Sequence, residues 1–484
     1  MRKLLIILGV PIDDLTMPDA LDRIAGFIAA GRASGKVHQI ATVNADFVVK
    51  SLKDPELRFL LQEADMATAD GMPLVWGARL LGVPLEGRVT GADLVPALAE
   101  RAAQQGYSIY LLGAAPGIAA KAAEVLTAKH PTLKIAGLMS PPNKPVLEMS
   151  HDLVDQINAA RPDILLVAFG NPKQEKWIGM HARDLKVPVA IGVGGTLDFI
   201  AGKTKRAPQW MQKSGLEWIY RLLQEPRRLW KRYVVDMFGF GTFFVRQWWL
   251  MRGQSSPSPA LPHSDAIMLE NKAILKVTGR LDRGNQSGFV TNAEAALAQT
   301  PFLIIDLSAA TFIDSAAIGS LVALGKKARD AGGDVRLVAV PEPIKRTLAL
   351  IKLDRFFEML PSIDTALTAS TAPVEVAPRA VQQWNVIKVP RRFDAQTAPD
   401  ILRDCEAALT TNARLVLDFS ETAFLASAGL AALLKLNRAA HDRGGELRLA
   451  ACSKDVARVI ELVKLDKTLS LYATLQAATA STTT

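Results

Sequence analysis

Between Leu4 and Val193 the chain alternates short apolar runs with amphipathic segments, and this alternation leaves few architectures open. Candidate strands are Leu4–Leu8, His38–Val43, Met66–Ala69, Ser108–Leu112, Leu133–Gly137, Ile164–Phe169 and Val187–Val193. The segments between them read as helices. In Met17–Ala30, for example, Thr16 stands at the cap position and Leu21, Ile24, Ala25 and Ile28 share a face. Strands alternating with helices predict an α/β domain with a mostly parallel sheet covered on both faces. Such sheets bind ligands at the carboxyl ends of their strands, so function is sought in the loops that follow them. The opening MRKLLIILGVPIDD is read as a buried first strand, because its apolar run is short and meets Asp13 and Asp14 without a cleavage-like segment.

Five loops at that edge carry candidate chemistry: Thr42–Asp46, Ala69–Gly71, Gly113–Gly117, Phe169–Glu175 and Gly192–Asp198. Glycine at a strand-to-helix turn lets backbone N–H groups approach a phosphate, although it also simply makes a tight turn. Several such loops on one edge point to a nucleotide or nucleotide-sugar. Neither GxGxxG nor GxxxxGK[ST] occurs, which argues against a dinucleotide dehydrogenase or a P-loop NTPase. The six histidines are scattered and form no metal motif, so neither metal nor cofactor is expected. Cys405 and Cys452, the only cysteines, make no disulfide framework and fit a reducing cytoplasm.

The stretch Ala201–Arg252 holds 11 Lys/Arg against 3 Asp/Glu, nearly all of the chain's net charge of +9. Five of the eight tryptophans fall here: Trp210, Trp218, Trp230, Trp248 and Trp249. Cations mixed with indoles suit an anionic membrane surface, and they also suit nucleic acid or an ordinary basic helix packed on a core. No apolar run approaches the roughly 20 residues of a spanning helix, so membrane contact would be peripheral. Pro226 predicts a new helix start with Arg228 and Arg232 on one face, and Asp236–Leu250 reads as an interfacial segment.

TVNADF, ADGMPLVWGARLLG, GRVTGADL, FGNPKQEKWI and GVGGTLDFIAGKTKRAPQWMQKSGLEWIYRLLQEPRR with the following KRY occur in that order over about Leu5–Trp249. This half of the chain resembles the WecG/TagA/CpsF glycosyltransferases. The resemblance implies a Rossmann-like fold and inverting, metal-independent transfer of a sugar from a UDP-sugar to an undecaprenyl-diphosphate-linked acceptor. It places the enzyme peripherally on the cytoplasmic membrane face, with the basic appendage engaging the membrane and closing over the site. It implies Asp70 as general base beside Thr42, with Asn44 contacting the donor sugar. A cap on the next helix is the simpler role for Asp70, and a turn for Asn44. Arg88, Arg206, Arg221 and Arg228 are candidates for the diphosphate, because guanidinium forks match phosphate geometry and a leaving UDP needs cations. Gln174 and Asp198 match pocket positions of the same family.

Gly253–Pro262 is a linker by composition, and beyond it the sequence repeats with a period of 112 residues. Asp306 aligns with Asp418, Ser315 with Ser427, and Leu353-Asp354 with Leu465-Asp466. FIDSAAIGSLVAL and FLASAGLAALLKL resemble the loop and helix of STAS domains, the anti-sigma-factor-antagonist fold. In that family the serine after Asp at the helix start can be phosphorylated. Ser315 follows Asp314 and is a candidate phosphorylation site or a helix cap, whereas Ser427 follows Ala426. The expected organisation is therefore a sheet domain over 1–200, an appendage over 201–252, a linker over 253–262, and small α/β repeats over 263–370 and 378–484. The expected partners are a UDP-sugar, a polyprenyl-diphosphate-linked acceptor, the membrane surface, a regulatory protein at the STAS repeats and a second copy in a homo-oligomer. Nucleic acid is not expected. The rival reading is a non-catalytic scaffold that senses nucleotide-sugar through the same fold.

Overall fold

The structure, a computed structural model, describes residues 2–146, 149, 152–214, 216–224, 230, 239–249, 266–269, 271–282, 284–354, 356–368, 379–381, 384–463 and 465–480. The linker over 253–262, the helix start at Pro226 and the junction after copy one lie outside these residues, as do Arg228 and Arg232. Two compact units result. One comprises Met1–Pro142, Ala159–Glu175 and Val187–Thr371, and the other Asn143–Asn158, Lys176–Lys186 and Ala372–Thr484.

The chain opens with a hairpin rather than with a strand of the main sheet. β1 (Leu4–Ile7) pairs antiparallel with β2 (Val10–Asp13). Leu8 and Gly9 make its turn with φ of 48° and 85°, the left-handed pair that a two-residue hairpin needs. The remaining six runs form one parallel sheet. They are β3 (His38–Val43), β4 (Met66–Ala69), β5 (Ser108–Gly113), β6 (Lys134–Met139), β7 (Ile164–Ala168) and β8 (Val189–Gly192), in the spatial order β4-β3-β8-β7-β5-β6. From β3 the chain moves outward to β4, and from β5 it moves outward to β6 on the other side, so the reversal lies near β3 and β8. Ligands of open α/β sheets sit at such a reversal.

Local chemistry sets the helices around this sheet. Helix Met17–Ser34 begins with a capping box: Thr16 Oγ1 accepts from the Asp19 amide and the Asp19 carboxylate accepts from the Thr16 amide. Its buried row is Ala20, Ile24 and Ile28, with Leu21 and Ala25 at the margin. It runs four residues beyond the expected end, to a left-handed Gly35.

Both repeats are five-stranded and nearly all parallel. Copy one has β9 (Ile267–Leu269), β10 (Lys272–Leu281), β11 (Phe302–Ile313), β12 (Asp334–Val338) and β13 (Glu358–Leu360), with only β9 antiparallel. In copy two β14 (Arg379–Val381), β15 (Trp384–Lys388), β17 (Arg414–Asp418), β19 (Glu446–Ala450) and β20 (Ser470–Tyr472) repeat that order. There a second two-stranded ladder, β16 (Arg392–Phe393) with β18 (Phe424–Leu425), replaces the far ends of the long β10 and β11. Pro390 interrupts the copy-two strand because it has no N–H to give the ladder.

The hairpin is packed on both faces, as the two-residue strand period allows. Leu4 and Ile6 join the core of copy one with Leu321, Val322 and Leu353. Leu5 and Ile7 face the other way, into a core with Val43, Phe47, Ala67 and Phe244. The helical segment 239–249 sits on that second side. Its Gln247 closes the hairpin turn, donating from Nε2 to Ile6 O at 3.0 Å and accepting the Leu8 amide at 2.9 Å. The segment read as interfacial is thus docked along Phe240, Phe244 and Gln247, while Phe243, Val245 and Trp249 remain exposed.

Candidate active site

Thr42, the penultimate residue of β3, donates from Oγ1 to Gly192 O at 3.0 Å, tying the ends of β3 and β8 together inside the core. Asn44 is the N-cap of helix Ala45–Lys53, its Oδ1 accepting from the Phe47 amide at 3.3 Å, so the turn-stabilising role named for it is in place. Asp70 follows β4, and its backbone N–H donates to Val43 O at 2.7 Å. The cap of the next helix, Met72–Leu80, is Gly71 and not Asp70, which leaves the carboxylate at the strand end. A Cβ on Gly71 would come within 3.9 Å of Asn44 Cβ, so the β3 and β4 loops adjoin.

The arginines gather around two acids. Arg206 Nη1 pairs with Asp93 Oδ1 at 2.7 Å, and Arg206 Nε and Arg88 Nη1 each stand 3.8 Å from Glu217 carboxylate oxygens. Arg206 Nε and Nη2 are buried and have no hydrogen-bond partner among the described residues. Burial pushes the Arg206 pKa down, but the bond and charge of Asp93, then Glu217 and Asp70, hold it above its ordinary value. Asp93 is itself pushed up by burial, yet bonds from Arg206 and Thr90 and the charges of Arg206 and Arg88 keep it below the carboxylate range. The result is a charge-balanced cluster of two guanidiniums and two carboxylates, in which Arg206 also feels the charge of Asp70. Arg221 lies in helix Glu217–Gln224, its side chain outside the described residues, as is all of Arg228.

Gln174 is a staple between loops. Its Oε1 accepts from the Gly170 amide at 3.1 Å, after β7, and from the Gly194 amide at 3.0 Å, after β8. Its Nε2 donates to Glu175 Oε1 at 2.7 Å. Both side chains press on Gly192, where a Cβ would lie 2.5 Å from Gln174 Nε2 and 2.6 Å from Glu175 Oε1. Asp198, in the short helix Thr196–Ile200, pairs with Lys203 at 3.2 Å.

Sequence reasoning passed over three residues of this edge. Glu175 is 1% exposed with its Oε2 unpartnered, and burial pushes its carboxyl up to about 8. A buried glutamate beside a motif glutamine was a signal that helix periodicity alone cannot rank. Glu217 was marked by being one of only 3 acids in the basic stretch. Asp93 was masked by its capping partnership with Thr90.

Ser315 is the first residue of helix Ser315–Asp330 and is only 4% exposed. The cap is Asp314, whose Oδ1 accepts from the Ala317 amide at 2.8 Å, so the capping role proposed for Ser315 belongs to its neighbour.

A profile described as the glycosyl transferase WecG/TagA/CpsF family matches residues 5–254, and STAS domain profiles match 259–366 and 375–478. An N-acetylglucosaminyldiphosphoundecaprenol N-acetyl-beta-D-mannosaminyltransferase of Bacillus spizizenii is 33% identical over 193 residues, 40% of this chain and 73% of that protein. The Staphylococcus aureus (strain MW2) protein of the same name is 30% identical over 233 residues, 48% of this chain and 89% of its own length. Among solved structures, a putative anti-sigma factor antagonist from Thermotoga maritima has 26% identity and a TM-score of 0.20, covering 22% of this chain and 90% of that one. The anti-sigma factor antagonist SpoIIAA in its unphosphorylated form has 16% identity and a TM-score of 0.19, covering 22% and 94%.

Proposed function

Because the chain belongs to the WecG/TagA/CpsF family of glycosyl transferases, we propose that it moves an N-acetylmannosamine-type or other hexosyl group from a UDP-sugar to an undecaprenyl-diphosphate-linked sugar. The transfer inverts the anomeric centre, needs no metal ion and takes place at the cytoplasmic face of the membrane. The names of the Bacillus and Staphylococcus relatives support the sugar and the acceptor class. The observation that carries the reading is the buried, unpartnered edge of the Arg206 guanidinium, set at the strand ends where Asp70 emerges. Unpaired buried donors are costly unless a ligand completes them.

In this reading Asp70 takes the proton of the acceptor hydroxyl as that oxygen bonds to the anomeric carbon. The anomeric C–O bond to the diphosphate breaks, and its electron pair leaves with UDP. Arg206 and Arg88 neutralise the growing charge, with the diphosphate taking the place that Glu217 holds at 3.8 Å. Arg221 and Arg228 add cations from the appendage. Thr42 positions the β3 and β8 loops, Gln174 holds the glycine loops at the donor, and Asn44 and Asp198 border it. Exposed Trp76, Leu80, Phe243 and Trp249 provide apolar surface for the lipid side. No helix among the described residues is long and apolar enough to cross a membrane. The test is Asp70→Asn: transfer should vanish while UDP affinity stays within a few-fold of wild type, and chelator should change neither. Wild-type turnover in that variant removes the base assignment.

A further inference from the structure

Copy one of the repeat does not stand off from the transferase. Helix Ser315–Asp330 lies against β1 so closely that a Cβ on Gly319 would sit 2.1 Å from Leu4 O. At the hairpin turn a Cβ on Gly9 would meet Ile351 O at 2.1 Å. Leu4 and Ile6 are buried in the copy-one core. The same helix reaches past the hairpin to Glu63 and Ala64, the end of the helix Pro55–Glu63 that leads into β4. Lys326 Nζ donates to Ala64 O at 2.8 Å, and Arg329 pairs with Glu63 at 2.7 Å.

β4 is the outer strand of the sheet, with β3 as its only sheet neighbour among the described residues. Its start is therefore held by side chains: Asp13 of the hairpin accepts from the Ala67 amide at 2.8 Å and is itself clamped by Arg2 and Arg23, each at 2.6 Å. Asp70 follows its other end, Ala69. We propose that the first STAS copy is a built-in subunit of the transferase, clamping the hairpin and the start of β4 so that the strand end presenting Asp70 stays ordered. A protein partner that takes helix Ser315–Asp330 does so in competition with the chain's own hairpin.

The proposal rests on the transferase reading only where it calls Asp70 the base; the ordering of β4 stands independently. The experiment is hydrogen exchange on the full chain for wild type, Gly319→Val and, as the matched position of copy two, Ala431→Val. In Gly319→Val the Ala67 and Asp70 amides should exchange faster by about tenfold or more, while Ala431→Val leaves them unchanged. Protection of Ile304 and Ile305 in β11 reports whether copy one itself stays folded. Loss of β4 protection supports the clamp whether copy one undocks or unfolds. Ala67 and Asp70 protection within about twofold of wild type in Gly319→Val overturns it. A wild-type chain that transfers no sugar would defeat the function proposed above and leave this readout intact.

Discussion

Lys326→Met should make the protein more stable, although it deletes a hydrogen bond. The ammonium is buried where helix Ser315–Asp330 meets Ala64, and burial, aided by the charge of Arg2, pushes its pKa down to about 7. Glu63, Asp13 and Asp65 pull the other way without restoring it, since they are engaged by Arg329, by Arg2 and Arg23, and by Lys36 and His38. A fall from 10.5 to about 7 corresponds near neutral pH to about 4 kcal/mol against the docked state. The bond to Ala64 O returns about 1 kcal/mol, and a methionine leaves that carbonyl to Arg2 Nη1 at 3.4 Å. The variant should gain about 2–3 kcal/mol. The sign with pH follows from linkage. A depressed lysine binds fewer protons folded than unfolded between pH 7 and 10.5, so its contribution improves as pH rises through that window and is lost as pH falls toward 7. Wild type should close on the variant by about 1.5 kcal/mol between pH 7 and 8.5. Urea unfolding of both proteins at the two pH values measures this as a double difference, in which other titrating groups cancel. A variant less stable than wild type at pH 7, by a gap that pH does not change, would refute the reasoning.

Gln174→Ala leaves the Gly170 and Gly194 amides and Glu175 without their shared partner, at about 1–3 kcal/mol for buried Glu175 and less for the two half-buried amides. Its urea midpoint should fall and its UDP affinity weaken, with isothermal titration as the check; unchanged affinity would confine Gln174 to the core. Glu175→Gln should fold normally and change the pH profile. A carboxyl raised to about 8 favours the folded state below 4.5 and loses that contribution as pH climbs through 8. Urea midpoints should therefore fall between pH 6 and 8.5 in wild type more than in the glutamine variant. Trp249→Ala combined with Phe243→Ala removes exposed rings without touching the docked face of their helix. Cosedimentation with anionic vesicles should drop while unfolding is unchanged; equal loss of oligonucleotide binding would favour a nucleic-acid surface instead.

What the sequence made legible follows the physics of each element. The six sheet strands were readable because each is a short apolar run between helical segments. The hairpin was not, because LLII and VPID are separated by only Leu8 and Gly9 and merge into one run by composition. Thr42, Asp70, Arg88 and Gln174 were identifiable as motif members, but their companions were not. Arg206 meets Asp93 across 113 positions of sequence, and Gln174 meets Gly194 across 20, distances at which periodicity carries no information. The docking of copy one was equally silent. Deleting copy one would strip Leu4, Ile6 and Ala64 of that cover.

The two repeats show why one of them docks. At the 112-residue offset Gly319 corresponds to Ala431, Ala323 to Lys435, and Lys326 to Arg438. In copy one these three positions form a buried surface on which a strand can lie. In copy two Lys435 and Arg438 are exposed, engaging Glu406 and Asp442. Ala431 alone forbids the same arrangement, because its Cβ occupies the place where a strand carbonyl would have to sit, 2.1 Å away by the copy-one geometry. Lys435 adds the desolvation of a second cation to that face, where copy one carries Lys326 alone at these positions. The fold has been duplicated, but the contact surface has not. A regulator that distinguishes the copies would meet the cationic face of copy two directly, and would reach the same face of copy one only by displacing Leu4–Ile7.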